Sequence, residues 1–186
     1  MLTDDIRAYV PVNEQEARDK ALILSCLSLP GVFTRENALC HMTASAWICD
    51  PAREKVLLAY HNLYRSWSWL GGHADGEEDL LAVALREARE ESGLVSVVPV
   101  TGQIFSLEAL PVFGHEKRGV YVSSHLHLNV TYLLEADPSD PVFAKQDENS
   151  AVGWFTPDEM ERAVSEKWML ERVYRKLSRK MKGESV

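Results

Sequence analysis

Apolar positions change their spacing several times along the chain, and each change marks an element. Leu80, Leu81, Ala84, Leu85 and Ala88 recur three and four residues apart, which predicts a helix with one apolar face. Asp75 is its expected N-cap, with Glu77, Glu78 and Asp79 loading the first turn, and Gly93 is its expected stop. An earlier helix is expected from Asn13, with Glu16 at the capping-box position, to about Ser28, ahead of Pro30-Gly31. Strand patterns cover 41–50, 55–60 and a short piece at 67–70, then 95–107, 120–122, 125–135 and 151–155. Thr156-Pro157-Asp158-Glu159 reads as a helix start, and a last helical stretch spans 165–182. Strands around a central helix, with further helices at both ends, predict an α/β sandwich.

The central helix carries the chemistry. Glu87, Glu90 and Glu91 stand at i, i+3 and i+4, so all three project toward one side. Like charges that close repel one another, and a hard divalent cation with its preference for oxygen ligands removes the conflict. Arg86, four residues before Glu90, is placed to tether it. The rival reading is a solvated face laced with Arg86 and Arg89 pairs.

The stretch from Gly72 to Leu94 resembles the Nudix box, Gly-x5-Glu-x7-Arg-Glu-U-x-Glu-Glu-x-Gly-U with U a bulky apolar residue. Gly72, Glu78, Arg86, Glu87, Glu90, Glu91, Gly93 and Leu94 fall in register, and Ala88 fills the first U as a small variant. The match is specific, although the box covers only about an eighth of the chain. Trp67-Ser-Trp-Leu-Gly-Gly before it and the run from Val152 to Met160 are also similar to that family. One departure is Leu70, where many members carry Pro, so the entry to the box is expected to be less stiff.

The resemblance implies a Nudix-type α/β/α sandwich with a mixed sheet, and a hydrolase of phosphoanhydride bonds that depends on Mg2+, with Mn2+ as its substitute. It implies Glu87, Glu90, Glu91 and the Gly71 carbonyl as metal ligands, with Glu78 as an outer ligand. Glu87 and Glu91 are then also catalytic, and Arg86 orients the acids. Family members differ in their base and sometimes place it outside the box. In Gln146-Asp-Glu-Asn149 the favoured acid is Glu148 rather than Asp147.

Composition sets the frame. At 186 residues and 46% hydrophobic content the chain can bury a core without disulfides. One domain is expected, with residues 1–40 as an N-terminal helical extension, 41–164 as the core and 165–186 as a C-terminal helix. The extension would cover the site or support a homodimer. Three cysteines without a CxxC pair suit a reduced, cytoplasmic setting. No membrane span or signal segment is visible. The net charge of −8 argues against nucleic acid as partner, yet admits a small nucleotide or diphosphate substrate once metal reverses the local sign.

Other residues have two readings each. His125 and His127 alternate, so they share a sheet face opposite Leu126 and Leu128. They would contact phosphate, base or metal, or simply form hydrogen bonds on a half-exposed sheet. Trp67 is the candidate for stacking on a base, with Tyr64, Trp69 and Trp154 behind it, although aromatics more often fill cores. The basic residues at 172, 175, 176, 179, 180 and 182 read as a solvated helix face matched to its dipole. His73 has a phosphate contact or a loop hydrogen bond open to it. In the Nudix-related isopentenyl diphosphate isomerases Cys-Gly-His occupies this place; Gly71 stands here where the cysteine would be, which weakens an isomerase-like reading. The expected substrate is a nucleoside diphosphate linked to another moiety, or a nucleoside triphosphate. A non-catalytic nucleotide sensor competes with this enzyme reading, as does an RNA-directed enzyme, which the acidic balance disfavours.

Overall fold

Two short helices open the chain, α1 (Leu2–Ala8) and α2 (Glu14–Cys26). The computed structural model describes residues 2–117, 119–145 and 149–186. Next come the strands β1 (Cys40–Cys49), β2 (Val56–His61), β3 (Ser66–Ser68) and β4 (Leu70–His73), followed by the helix α3 (Leu80–Ser92). After it lie β5 (Val98–Pro99), β6 (Ser106–Val112), the hairpin β7 (His115–Lys117) and β8 (Val120–Val122), then β9 (His125–Glu135) and β10 (Asn149–Phe155). The chain closes with α4 (Pro157–Ala163), α5 (Lys167–Met169), a wide π-helical turn (Leu170–Tyr174) and α6 (Arg175–Met181).

The main sheet runs β10-β2-β1-β9-β5, with β3 on β2, β4 on β1 and β6 on β9. β1 and β9 are parallel over ten residue pairs and the other pairings are antiparallel, so the sheet is mixed, as expected. All ten residues of β1 are buried, because helices cover both faces. Met42, Ala44, Ala46 and Ile48 face a core that includes Leu80, Val83, Ala84 and Ala88 of α3. Trp47 and Cys49 face the opposite core with Met160 of α4 and Val173, Tyr174 and Leu177 beyond it. Ile6 and Ile23 are fully buried in the α3-side core and tie the N-terminal helices to the sandwich, each worth about 1.5–3 kcal/mol of transfer energy. Among the described residues no helix is long and apolar enough to cross a membrane.

Capping explains two of the helix starts. Asn13 accepts the Glu16 N–H at 3.0 Å, and Thr156 forms a full capping box with Glu159. The Glu16 carboxylate, however, takes the Val12 N–H at 2.9 Å and the Tyr9 hydroxyl at 2.6 Å rather than returning to its own cap. One expected strand is corrected. Residues 95–107 do not form a single strand: Val98 and Pro99 pair with Leu134 and Glu135, the chain breaks at Thr101-Gly102, and a new strand begins at Ser106. Proline cannot donate to a ladder, which limits the first piece to an edge. Leu70, in place of Pro, is a buried strand residue opposite Ala46, so the sheet itself holds the entry to the box.

Of the C-terminal basic run, Arg172, Arg175, Arg179 and Lys182 are exposed as expected, and the reading is corrected at Lys176 and Lys180. Lys176 is only 4% exposed, and its ammonium donates to Glu108 at 2.8 Å and lies 3.1 Å from Glu16. Asn129 and Thr131 donate to the same Glu108, and Ser106 donates to Glu16 at 2.7 Å. Lys180 reaches the Tyr9 hydroxyl at 2.7 Å. A polar seam thus joins α2, β6, β9 and α6 inside the molecule. Burial works against the Lys176 charge, but Glu108 and Glu16 overcome it and raise its pKa.

Candidate active site

The box helix starts later than its sequence pattern predicts. Asp79, not Asp75, is the N-cap, accepting the Ala82 N–H at 3.0 Å. Asp75 sits at φ +48° and Gly76 at φ +94°, so the chain is still turning there and cannot enter a helix. Its carboxylate is held instead by Arg35 in a two-point ion pair of 2.8 and 2.5 Å. Gly93 at φ +73° ends the helix, as expected.

α3 and β4 set two of the acids against the paired glycines. Glu87 leans over Gly72 so closely that a Cβ there would lie 2.6 Å from its carboxyl carbon. A Cβ on Gly71 would collide with the Ala44 carbonyl oxygen and lie 2.8 Å from the Ser45 Cα. The paired glycines are therefore a steric requirement of both neighbours. Glu91 is 6% exposed and accepts the Gly71 N–H at 2.9 Å and the Asn149 amide at 3.0 Å. Glu90 is exposed and lies 3.6 Å from the Lys145 ammonium. Arg86 donates to Glu87 at 3.0 Å, so the expected tether to Glu90 is replaced by one to its own neighbour. Burial, reinforced by Glu90, pushes the Glu87 carboxyl up against the pull of Arg86.

Asn149 carries no sequence signal of its own beyond its place beside the acids of the same run. It begins β10, is 1% exposed, and its Oδ1 has no hydrogen-bond partner among the described residues. Glu148, with Gln146 and Asp147, lies outside the described residues.

Gly72→Ala tests the crowding. The new methyl group must displace Glu87, and a shift of that order is expected to lower turnover about 100-fold with little change in melting temperature. Steady-state rates beside a thermal melt measure both.

The histidines lie across the strand. Adjacent residues of β4 point to opposite faces, so His73 points away from α3 while Gly72 faces it. His73 joins His125 and His127 of β9 and a fourth ring that the sequence pattern does not reveal, His41 of β1. Parallel register places His41 beside His127. Only a correct pairing of β1 with β9 could have found it. Five of the six ring pairs have centroids 4.8–5.2 Å apart. Burial, with His73, His41 and His125 nearby, pushes the His127 pKa down to about 2, so it is neutral. Trp67 packs against Phe155 and Tyr60 at 4.6 and 5.7 Å, and no described contact brings it to the acids.

A family model described as NUDIX domain matches residues 40–179 of the chain. Among solved structures, a hydrolase of the NUDIX family from Clostridium perfringens superimposes with a TM-score of 0.52 at 22% identity, over 74% of this chain and 95% of that one. The E. coli dihydroneopterin triphosphate pyrophosphohydrolase gives 0.53 at 13% identity, over 72% and 92%. These likenesses concern the fold. No curated protein matches the sequence. With the match spanning most of its length and every fixed acid of the box in place, the chain belongs to the NUDIX domain family.

Proposed function

We propose that the protein hydrolyses the diphosphate linkage of a nucleoside diphosphate joined to another moiety, or of a nucleoside triphosphate, by water attack at phosphorus with Mg2+ as cofactor. The observation that carries this reading is the placement of Glu87 against Gly72 and of Glu91 on the Gly71 N–H, with Glu90 on the same helix between them. The donors there fit a hard divalent ion. They are all oxygens, Glu90 adds its negative charge to the surroundings of Glu87, and the buried Asn149 Oδ1 beside Glu91 is unpartnered among the described residues. Glu87, Glu90, Glu91 and the Gly71 carbonyl would hold Mg2+, or Mn2+ in its place. Bound there, the ion supplies a Lewis acid that draws charge from the diphosphate oxygens and acidifies water.

The chain's own groups do the positioning. The Gly71 N–H points to Glu91 rather than into the ladder with β1, and in an antiparallel strand its carbonyl leaves on the same side. Glu91 is thereby fixed by main chain and by Asn149. Arg86 steadies Glu87, which burial makes a stronger proton acceptor than an ordinary carboxylate. Glu148 remains our candidate for an acid outside the box. The isomerase reading loses further ground because a side chain at Gly71 would collide with β1, so a cysteine has no room there.

The test is product release from a panel of nucleotides, nucleotide sugars and dinucleoside polyphosphates with Mg2+, repeated with chelator. Hydrolysis of one class that stops on chelation is the expected result. Tight binding across the panel with no product would favour a sensor.

A further inference from the structure

The four histidines form a second constellation that the hydrolase reading does not use. We propose that His41, His73, His125 and His127 constitute a binding site for a divalent transition-metal ion of the Zn2+ class, separate from the carboxylate site across β4.

The geometry argues this on three grounds. First, one nitrogen from each of His41, His73 and His127 lies within 4.8 Å of the others, and the Nε2 atoms of His125 and His127 are 3.3 Å apart. Two ligand nitrogens on tetrahedral zinc stand about 3.4 Å apart, so the last pair already has the required separation. Second, two of the rings are oriented by backbone. His41 Nδ1 meets the Asn37 carbonyl at 3.2 Å, and His125 Nδ1 meets the Ser123 carbonyl at 2.8 Å. A carbonyl oxygen can only accept, so each Nδ1 carries a proton, and in the neutral ring the lone pair is on Nε2. Outer hydrogen bonds of this kind accompany metal-bound histidine. Third, His41 is 5% exposed and its Nε2 is buried with no hydrogen-bond partner among the described residues. A neutral imidazole lone pair left that way costs free energy unless something accepts it.

The donor set selects the ion. Imidazole nitrogens suit Zn2+, Ni2+, Cu2+ and Co2+, whereas Mg2+ takes oxygen. The ion-paired Arg35 and Asp75 lie at the edge of the group, and no carboxylate is among the four ligands. The site rests on its own residues, so it stands or falls independently of the hydrolase reading.

The experiment uses the full chain without an affinity tag. It is stripped with chelator and titrated with Zn2+ by calorimetry, and with Co2+ by visible absorption. With excess Mg2+ present to occupy the carboxylates, the expected result is one tightly bound equivalent per chain that Mg2+ does not displace, with the intense visible bands of four-coordinate Co2+. His41→Asn and His127→Asn, each with native circular dichroism, should weaken binding at least about 100-fold. Glu90→Gln should bind Zn2+ as the unaltered chain does. The proposal is overturned if Co2+ gives only the weak bands of six-coordination, if Zn2+ does not bind, if the histidine variants bind it unchanged, or if Glu90→Gln abolishes it. The cobalt spectrum of the unaltered chain decides the matter even should a histidine variant fold poorly.

Discussion

Glu90→Gln is expected to lower turnover about a thousandfold, roughly 4 kcal/mol of transition-state stabilisation, while the fold stays intact. The substitution keeps shape and removes one negative charge from the proposed ligand set. Glu90 is exposed, and its described ion pair, with Lys145 at 3.6 Å, is loose. Exposed pairs of that kind contribute about 0–1 kcal/mol, so the melting temperature should hardly move. Glu91 would be a poorer test, because its buried carboxylate also holds Gly71 and Asn149 and its loss would disturb the site. Rates under saturating Mg2+ with a parallel melt separate catalysis from stability. Activity within a few-fold of the unaltered protein would remove Glu90 from the metal site.

Lys176→Met should have the largest effect on stability. It keeps the volume of the side chain but leaves Glu16 and Glu108, both fully buried, without their cation. Breaking a buried pair in this way costs about 3–5 kcal/mol, a large share of the roughly 5–15 kcal/mol typical of a domain. The loss should depend on pH. Burial opposes the Glu16 carboxylate, but Lys176, Tyr9, Val12 and Ser106 offset it and hold its pKa below the ordinary value. A depressed carboxyl pKa stabilises the fold above the unfolded value near about 4.3, and that contribution is lost as pH falls through the folded pKa. In the variant the Glu16 carboxylate loses the cation that held its pKa down, so the burden of its buried charge grows as pH rises. Urea denaturation should therefore show the gap between the two proteins widening from about pH 4 to about pH 7. A gap that is constant, or that narrows, would mean the seam is not the charged network described.

Elements whose signals are local are legible in residue spacing alone. The apolar stripe and Gly93 stop of α3, the alternation of β9 and the Thr156–Glu159 capping box act within a few residues, and each stands where the pattern puts it. The common helix of Glu87, Glu90 and Glu91 is legible for the same reason. What the sequence hides depends on pairing across distance. Lys176 resembles its basic neighbours until Glu16 and Glu108 arrive from α2 and β6. His41 looks like one polar residue in a strand until β9 docks beside it in parallel register. Asp75 has the right residue type for a cap, but the left-handed turn at 75–76 and Arg35 claim it first.

The proposed hydrolysis is attack of water at phosphorus, with the box acids placed to hold the metal that would activate it. Its most direct test is the reaction run in oxygen-18 water with Mg2+, followed by mass analysis of the products. One labelled oxygen in a phosphoryl-bearing product, and no label elsewhere, is the expected result. Label outside the phosphoryl groups, or a rearranged diphosphate with no label at all, would contradict it.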